Sequence, residues 1–253
     1  MRDAFLLAAL ALSASAHAAP VDPATERDVV TFRASVRVDV DASGKPVKVE
    51  TPQDLPQAIR ALIEKRVASW QYQPANLGGV PQAATTYVSI NACAVPVGEG
   101  YRLGVDFNSN GPRVAAGKAM TPPDYPEAAM RAGTDADFSL TLKMDGAGRA
   151  AIDTINRLDI SGRAGAGGFE PELRRWVKTL RFDPEIVAGR PVPTKIRMQV
   201  GFDTTNARRS RKSRDDLQAK ARESRECRMV SGTYGLRPVA LQPAVTIIPR
   251  PPG

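Results

Sequence analysis

The amino-acid sequence predicts an α+β protein that contains two ββαβ modules, each a small antiparallel sheet packed on one amphipathic helix. Three features predict this fold: alternating strands that end in Asp-x-x-Gly turns, apolar stripes with helical spacing, and helix exits in which aromatic-x-Pro precedes Gly-x-Pro. All three features occur twice, in the same order, within the 253 residues. We therefore interpret the chain as an internal repeat and name its two copies module A and module B.

An alternating strand followed by a tight turn begins each module. The apolar residues within positions 36–40 and 138–144 recur at every second position, which places them on one face of a strand. In the turns Asp41–Gly44 and Asp145–Gly148, aspartate supplies a local hydrogen bond and glycine tolerates a positive φ. Second strands are predicted directly after the turns, over residues 46–50 and 150–156.

An amphipathic helix is predicted after each hairpin. Pro56 and Pro171 suit the first helical turn, because the N–H that proline lacks would have no partner there. The apolar residues that follow have the spacing of one helix face. They are Ile59, Leu62, Ile63, Val67 and Trp70 in module A, and Leu173, Trp176, Val177 and Leu180 in module B.

The helix exits of the two modules are the most similar segments. Tyr72-Gln73-Pro74 in module A corresponds to Phe182-Asp183-Pro184 in module B, and a Gly-x-Pro motif follows each at the same distance. Proline stops the helix, and Gly-x-Pro predicts a turn into a closing strand. The closing strands are predicted over residues 83–92 and 193–202, and the six extra residues of module B are assigned to a Gly/Ala-rich loop at 159–168.

Module B carries further motifs around this pattern. They are Pro122–Ala129 with its Pro-x-Tyr-Pro sequence, Gly133, the turn Asp145–Arg149, the exit Leu180–Pro184, Gly189–Val192 and a strand that ends at Phe202. On these residues module B resembles the TonB C-terminal domain family, and module A resembles a trimmed relative without Pro-x-Tyr-Pro. The resemblance implies a small sheet that accepts an extended partner segment along an edge strand. Asp135-Ala136-Asp137 departs from the family, which usually has a second glycine there, and the chain has neither the membrane helix nor the Pro-rich span of TonB itself.

The N-terminal segment predicts export. Residues 4–12 are apolar and residues 13–19 are mostly small, as in a secretory signal peptide, which implies a periplasmic protein after cleavage. The apolar run is shorter than the roughly 20 residues of a membrane helix, so we expect no membrane span after processing. The predicted divisions are 1–19 signal peptide, 20–95 module A, 96–120 connecting hairpin or linker, 121–203 module B, 204–228 charged basic linker or helix, and 229–253 strand-like tail.

Local patterns predict elements outside the modules as well. Tyr101–Phe107 alternates like a strand, and Asn108–Gly111 is a strong turn signal. In the tail, residues 239–241 and 245–248 resemble one or two short strands. We therefore expect additional strands on both sides of module B.

Histidine and cysteine content limits the chemistry of the mature chain. The only histidine, His17, lies in the predicted signal peptide, so cleavage leaves no imidazole for general-base catalysis or metal binding. A Ser-His-Asp triad is thereby excluded. Cys93 and Cys227 lack metal-ligand spacing, and an even count in an oxidising compartment favours one disulfide between them. Free buried thiols and an intermolecular bridge are the alternatives.

The net charge of +8 is concentrated in one segment. Residues 207–228 hold nine basic and four acidic residues, whereas residues 1–206 hold 24 basic and 23 acidic residues. The modules are therefore close to neutral, and we expect no nucleic-acid partner. The segment is either a solvated linker or, over residues 208–228, a patch for an anionic surface of lipid head groups or acidic polymers. Its first basic residues are Arg208, Arg209, Arg211, Lys212 and Arg214.

The preferred functional hypothesis is a non-enzymatic protein-interaction module of the cell envelope, linked by the resemblance to TonB-type transport. The expected partner is another envelope protein that adds a strand at the sheet edge of Lys195, Arg197, Gln199 and Gly201. The alternatives at this edge are that module A or the tail covers it, or that a homodimer forms through it.

Two other functions compete with this hypothesis. One is a structural or cell-wall-binding role that depends on the basic segment. The other is an enzyme that uses carboxylates, for which Asp135 and Asp137 are the acid and base candidates. Asp39, Asp41 and Asp145 lie beside turns and need no catalytic explanation. No sugar-binding aromatic cluster stands near Asp135 and Asp137 in the sequence, so we expect no enzymatic activity and no cofactor.

Overall fold

The structure is a computed structural model that describes residues 30–97, 100–115, 117–118, 120–161, 168–203 and 238–249. Within these ranges the chain is α+β, with antiparallel sheets and three short helices. The predicted signal peptide, the basic segment and part of the Gly/Ala-rich loop lie outside the described residues, so the predictions about them stay predictions.

Module A consists of a hairpin, a helix, a small second hairpin and a long strand. A second long strand pairs along this one and is described with module A, although it lies in the predicted connecting segment 96–120. A further two-residue strand leads toward module B. The elements are β1 Val30–Val40, β2 Pro46–Glu50, α1 Gln57–Ala68, β3 Gln71–Gln73, β4 Ala75–Leu77, β5 Val80–Gln82, β6 Ala84–Val97, β7 Gly100–Gly111 and β8 Arg113–Val114.

Module B repeats the order of β1 to β6, without a described counterpart of β7, after a one-turn helix that the sequence did not predict, and the tail adds two short strands. The elements of module B are α2 Glu127–Arg131, β9 Asp135–Met144, β10 Ala150–Ser161, α3 Phe169–Val177, β11 Phe182–Asp183, β12 Ile186–Val187, β13 Arg190–Pro191 and β14 Thr194–Phe202. The tail strands are β15 Val239–Ala240 and β16 Thr246–Ile248. Both strands predicted in the tail are thereby confirmed.

The two modules share one topology and one register. Strands β2, β1 and β6 are neighbours in module A, and β10, β9 and β14 are neighbours in the same order in module B. Val40 pairs with Ala84, and Met144 pairs with Thr194. Val40 and Met144 both lie four residues before their turn glycine, and Ala84 and Thr194 both lie three residues after their Gly-x-Pro proline. The internal repeat is therefore a repeat of structure.

The sequence landmarks of the repeat contact each other. A Cβ on the turn glycine Gly44 would overlap the backbone oxygen of Tyr72, and a Cβ on Gly148 would overlap that of Phe182. In module B the Phe182 N–H also donates to the Gly148 oxygen over 2.9 Å. Both glycines have positive φ, +84° and +74°. The hairpin turn and the aromatic helix exit recur together because each packs on the other.

Each module has its own core. One apolar cluster joins the inward residues of β1 and β6 to Ile63, Val67 and Trp70, and the other joins β9 and β14 to α3. The predicted inward faces of β1 and β9 are confirmed by the burial of their alternating apolar residues. The predicted helix stripe of module A is wrong at one residue, because the Leu62 side chain is 42% exposed. Helix α1 buries the narrow i, i+4 ridge of Ile63 and Val67 instead.

Two local predictions are corrected by strand pairing. Tyr101–Phe107 is a strand as predicted, but Asn108–Gly111 is no turn, since β7 continues along β6 with Asn110 opposite Val88. The Gly/Ala-rich loop begins later than predicted, because Asp159–Ser161 belongs to β10 and pairs with β9.

Strand pairing and the tail connect the modules. Strand β12 of module B pairs antiparallel with the start of β6 in module A, through Ile186 opposite Thr85 and Val187 opposite Ala84. In the tail, β15 pairs with β14 of module B, whereas β16 pairs with β3 of module A. The tail therefore spans both modules and lies beside the predicted partner-binding strand.

Candidate functional site: one edge of the module B sheet

Strand β14 has two different edges. Along one edge it pairs with β9 over its whole length, from Thr194 to Phe202. Along the other edge it pairs with β15 alone among the described strands, at Ile196 and Arg197. The second edge is the one predicted from sequence to receive a partner strand.

One hydrogen bond fixes the direction of the backbone groups on β14. The Leu241 N–H donates to the Lys195 oxygen over 2.9 Å, so the backbone of Lys195 faces β15. Backbone direction alternates along an antiparallel strand, so Arg197, Gln199 and Gly201 face the same way. The four residues predicted as the candidate edge are therefore the ones that present backbone groups on this side.

The described part of the tail covers only the first half of this edge. Lys195 and Arg197 lie beside β15, whereas Gln199 and Gly201 lie beyond its end. Within the residues that the structure describes, no strand pairs with Gln199 or Gly201 on this side. Unpaired N–H and C=O groups at a strand edge are a template for another strand. We call the stretch Met198–Phe202 the open edge of β14.

In module A, the equivalent edge of β6 is paired with another strand. The shared register places Ser89 and Asn91 of β6 at the positions of Gln199 and Gly201. At these positions β6 pairs antiparallel with β7, through Ser109 and Asp106. The same architecture therefore accepts a long strand where module B has the open edge.

The outer strand β10 is a poorer docking edge. Its ladder with β9 is interrupted at two places, between Ile152 and Thr154 and between Arg157 and Asp159. Bulges of this kind twist an edge and disfavour the addition of a further strand. Strand β14, by contrast, pairs with β9 without any register shift.

The inward residues of β14 hold the strand rigidly. Met198, Val200 and Phe202 are each less than 5% exposed. The Phe202 ring lies 4.8 Å from the Phe169 ring of α3 and 5.6 Å from the Tyr125 ring, centroid to centroid. A strand fixed in this way needs little ordering when a partner binds.

Charged side chains on the open face of the sheet pair with one another beside β15. Asp153 accepts ion-pair contacts from Lys143 at 2.7 Å and from Lys195 at 3.0 Å. Hydrogen bonds to Lys143 and Lys195 lower the pKa of Asp153. One carboxylate therefore offsets part of the charge of two lysines, and Lys195 already has an ion-pair partner within the sheet.

Carboxylates lie around the far end of the open edge, and one of them lies close to Gly201. A Cβ on Gly201 would lie 2.6 Å from the Asp137 Oδ1, so glycine makes room for that carboxylate. Burial, and then the nearby carboxylates of Asp159, Asp203 and Asp135, raise the pKa of Asp137.

Asp135, the other carboxylate of the predicted acid–base pair, has a structural partner. The Tyr125 hydroxyl donates to the Thr134 oxygen over 2.6 Å and lies 3.2 Å from the Asp135 Oδ1. Burial, followed by the charge and hydrogen bond of Asp135, raises the pKa of Tyr125 to about 12. These contacts attach the Pro-x-Tyr-Pro segment to the start of β9.

A buried polar cluster, which no sequence pattern predicted, joins both modules and the tail. The Glu185 carboxylate is fully buried and accepts hydrogen bonds from the Thr86 hydroxyl at 2.7 Å and the Ala244 N–H at 2.8 Å. The Asn110 Nδ2 donates to the Val245 oxygen over 2.7 Å. Burial raises the pKa of Glu185. We call these five residues the junction cluster.

The remaining predicted site residues are placed only in part. Cys93 is buried on β6, but Cys227 lies outside the described residues, so their disulfide stays a prediction. The same holds for the basic residues of the segment, Arg208, Arg209, Arg211, Lys212 and Arg214.

Neither a metal site nor a membrane-spanning helix is found among the described residues. In that part of the chain no group of three His, Cys, Asp or Glu side chains is arranged to hold a metal ion. No helix in the described ranges is long and apolar enough to cross a membrane. No protein-family model matches this sequence, and neither a curated protein nor a solved structure matches it significantly.

Proposed function

We propose that this chain is an exported, non-enzymatic protein of the cell envelope that binds an extended segment of another envelope protein by strand addition. The segment pairs antiparallel with β14 along its open edge. One observation carries the proposal: Gln199 and Gly201 present backbone groups that no described strand pairs, at the position that β7 fills in module A. Main-chain hydrogen bonds supply affinity in this mode of recognition.

The resemblance of module B to the TonB C-terminal domain supports the same mode of binding. Three antiparallel strands in the order β10, β9 and β14, with α3 packed on one face, agree with the small sheet and helix that the resemblance implies. A periplasmic location and a link to TonB-type transport are parts of this proposal that rest on the predicted signal peptide and on the resemblance.

Photo-crosslinking in intact cells tests the proposal. A photoreactive amino acid at position 199 lies on the open edge, and we expect it to yield a defined envelope-protein adduct. The matched control is position 156, because Asn156, Ser139 and Gln199 form one row across the sheet, with Asn156 on the bulged outer strand. Adducts at neither position, or equal adducts at both, would contradict strand addition at β14.

A second proposal rests on the concentration of positive charge in residues 207–228. In this case the protein is a structural or cell-wall-binding component that attaches to an anionic surface. Sedimentation with peptidoglycan that disappears when residues 208–228 are deleted would favour this role. Retention of the adduct from position 199 after the same deletion would favour strand addition.

A further inference from the structure

We infer that the tail strand β15 is a built-in competitor for the partner segment, and that a partner displaces β15 and carries a small residue opposite Ile196. The inference rests on the proposed function of the β14 edge and defines how that edge is regulated. It follows from the length of β15, from the separate anchors of the tail, and from the close contact between Ala240 and Gly111.

Strand β15 occupies the edge with few interactions. It pairs with β14 at two residues, next to the bond from the Leu241 N–H to the Lys195 oxygen, whereas β7 pairs with β6 at eleven residues. The side chains of Val239 and Leu241 are 41% and 37% exposed, so their burial adds little. Among the described residues, β15 therefore has few interactions with β14 to lose when a longer strand replaces it.

The other end of the tail is held independently. Val245 is fully buried in the core of module A, and β16 pairs with β3. The Ala244 N–H donates to the Glu185 carboxylate in the junction cluster. Because these contacts lie beyond β15, the strand can leave β14 while the rest of the tail stays in place.

A partner that replaces β15 gains additional backbone bonds. An extended segment along the whole edge faces Lys195, Arg197, Gln199 and Gly201, whereas the described tail reaches only Lys195 and Arg197. A segment of about seven residues spans this distance at about 3.4 Å per residue. The partner is therefore an extended peptide segment that runs antiparallel to β14.

Gly111 restricts what the segment carries at one position. A Cβ on Gly111 would overlap the Ala240 methyl group, so the backbone of β7 and the side chain opposite Ile196 already touch. A larger side chain at the position of Ala240 would meet the end of β7. The segment therefore needs glycine or alanine there, which is a specificity rule that backbone pairing alone does not impose.

Two variants of the full chain release β15 by different means. Leu241→Pro removes the N–H that donates to the backbone oxygen of Lys195. Ala240→Leu places a side chain too large for the space beside Gly111. Leu241→Ser is the matched control, since it keeps the N–H and changes a partly exposed side chain. Near-ultraviolet circular dichroism is the control that checks whether each variant keeps the packing of both cores.

The probe is a fluorescein-labelled peptide with the sequence of residues 235–242, measured by fluorescence anisotropy up to about 1 mM, the effective concentration of a tethered segment. We expect Leu241→Pro and Ala240→Leu to bind it at least tenfold more tightly than the wild type and Leu241→Ser do. Equal affinity for all four proteins would overturn the competitor role of β15 and leave the edge as a binding site. Binding to none of them would overturn both the competitor role and the proposed function.

A second peptide tests the small-residue rule. Replacement of alanine by leucine at its position 240 is expected to weaken binding to the Leu241→Pro protein at least tenfold, because the side chain meets Gly111. Unchanged affinity for this peptide would show that Gly111 does not restrict the partner.

Discussion

Residues that mark the repeat in the sequence make the same contacts in both modules. The turn glycines Gly44 and Gly148 lack a Cβ where one would overlap the backbone oxygen of an aromatic residue, Tyr72 or Phe182. Positive φ adds a second requirement for glycine at these positions. Two demands at one residue explain why the Asp-x-x-Gly turn and the aromatic-x-Pro exit occur together.

A pair of alanine substitutions separates these two demands. Gly133→Ala introduces a Cβ into open space at a φ of +60°, so we expect a loss of about 1 kcal/mol from backbone strain alone. Gly148→Ala adds the overlap with Phe182 and the loss of its bond to the Gly148 oxygen, so we expect about 3 kcal/mol or more. Urea unfolding of both variants measures the difference. Equal losses would show that the contact with Phe182 is unimportant.

Asn110 explains why the Asn-Gly turn signal was wrong. Its side chain donates to the Val245 oxygen in the junction cluster, and this bond requires β7 to continue in an extended conformation beside β6. The tail residue that accepts the bond lies 135 positions away in sequence. A local turn propensity is therefore overridden by a contact that no local pattern shows.

At the scale of elements, the strands and the helix face of module B were predicted better than the helix face of module A. Alternation is a local property, and it located the inward residues of β1 and β9 and the outward residues of β14. The predicted stripe of α1 was too wide, because Leu62 is exposed, whereas the four apolar residues predicted for the helix of module B are all buried. The five-residue helix α2 is too short to show any periodicity.

Adjacent residues of α1 test the position of this ridge. Ile63 is fully buried and Leu62 is 42% exposed. We expect Ile63→Ala to lower the free energy of unfolding of module A by about 2–5 kcal/mol, because it leaves a cavity. Leu62→Ala is expected to cost less than about 1 kcal/mol, because alanine favours the helix and little burial is lost. Chemical denaturation that gave equal losses would place the helix face differently.

The candidate edge was predictable only in part. The alternating pattern of residues 194–202 identified the strand and its exposed residues, and the resemblance implied that its edge binds a partner. The pairing of β15 with β14 was left open, because it joins segments more than 35 residues apart through two residues without a distinctive pattern. The contact of Ala240 with Gly111 depends on that pairing and was equally invisible in the sequence.

At the scale of the whole molecule, two separate cores are connected by polar contacts and by the tail. Strand β12 extends the module A sheet, and Glu185 beside it binds Thr86 of module A and Ala244 of the tail. The sequence predicted both modules but not their connection, since a single glutamate after proline has no signal of its own.

The junction cluster predicts an unusual pH dependence. Burial raises the pKa of Glu185, so the folded protein keeps this proton at pH values where the unfolded chain has lost it. The resulting stabilisation is complete below the ordinary glutamate pKa and is lost as pH rises through the raised pKa. Each unit of the shift corresponds to about 1.4 kcal/mol.

Glu185→Gln isolates this contribution, because glutamine accepts a similar bond from Ala244 without titrating. We expect the stability of the wild type relative to Glu185→Gln to fall as pH rises above the ordinary glutamate pKa, as measured by urea unfolding. A constant difference, or one that grows with pH, would contradict the assignment of a raised pKa to Glu185.

Hydrogen exchange of individual backbone amides, followed by NMR in the free protein, tests the central claim that β14 presents an open edge. Ser89 and Asn91 face β7 in module A, whereas Gln199 and Gly201 occupy the same positions without a described partner. We expect the amides of Gln199 and Gly201 to exchange at least about 100-fold faster than those of Ser89 and Asn91. Equal protection of all four amides would show that the edge is already filled and would contradict strand addition at β14.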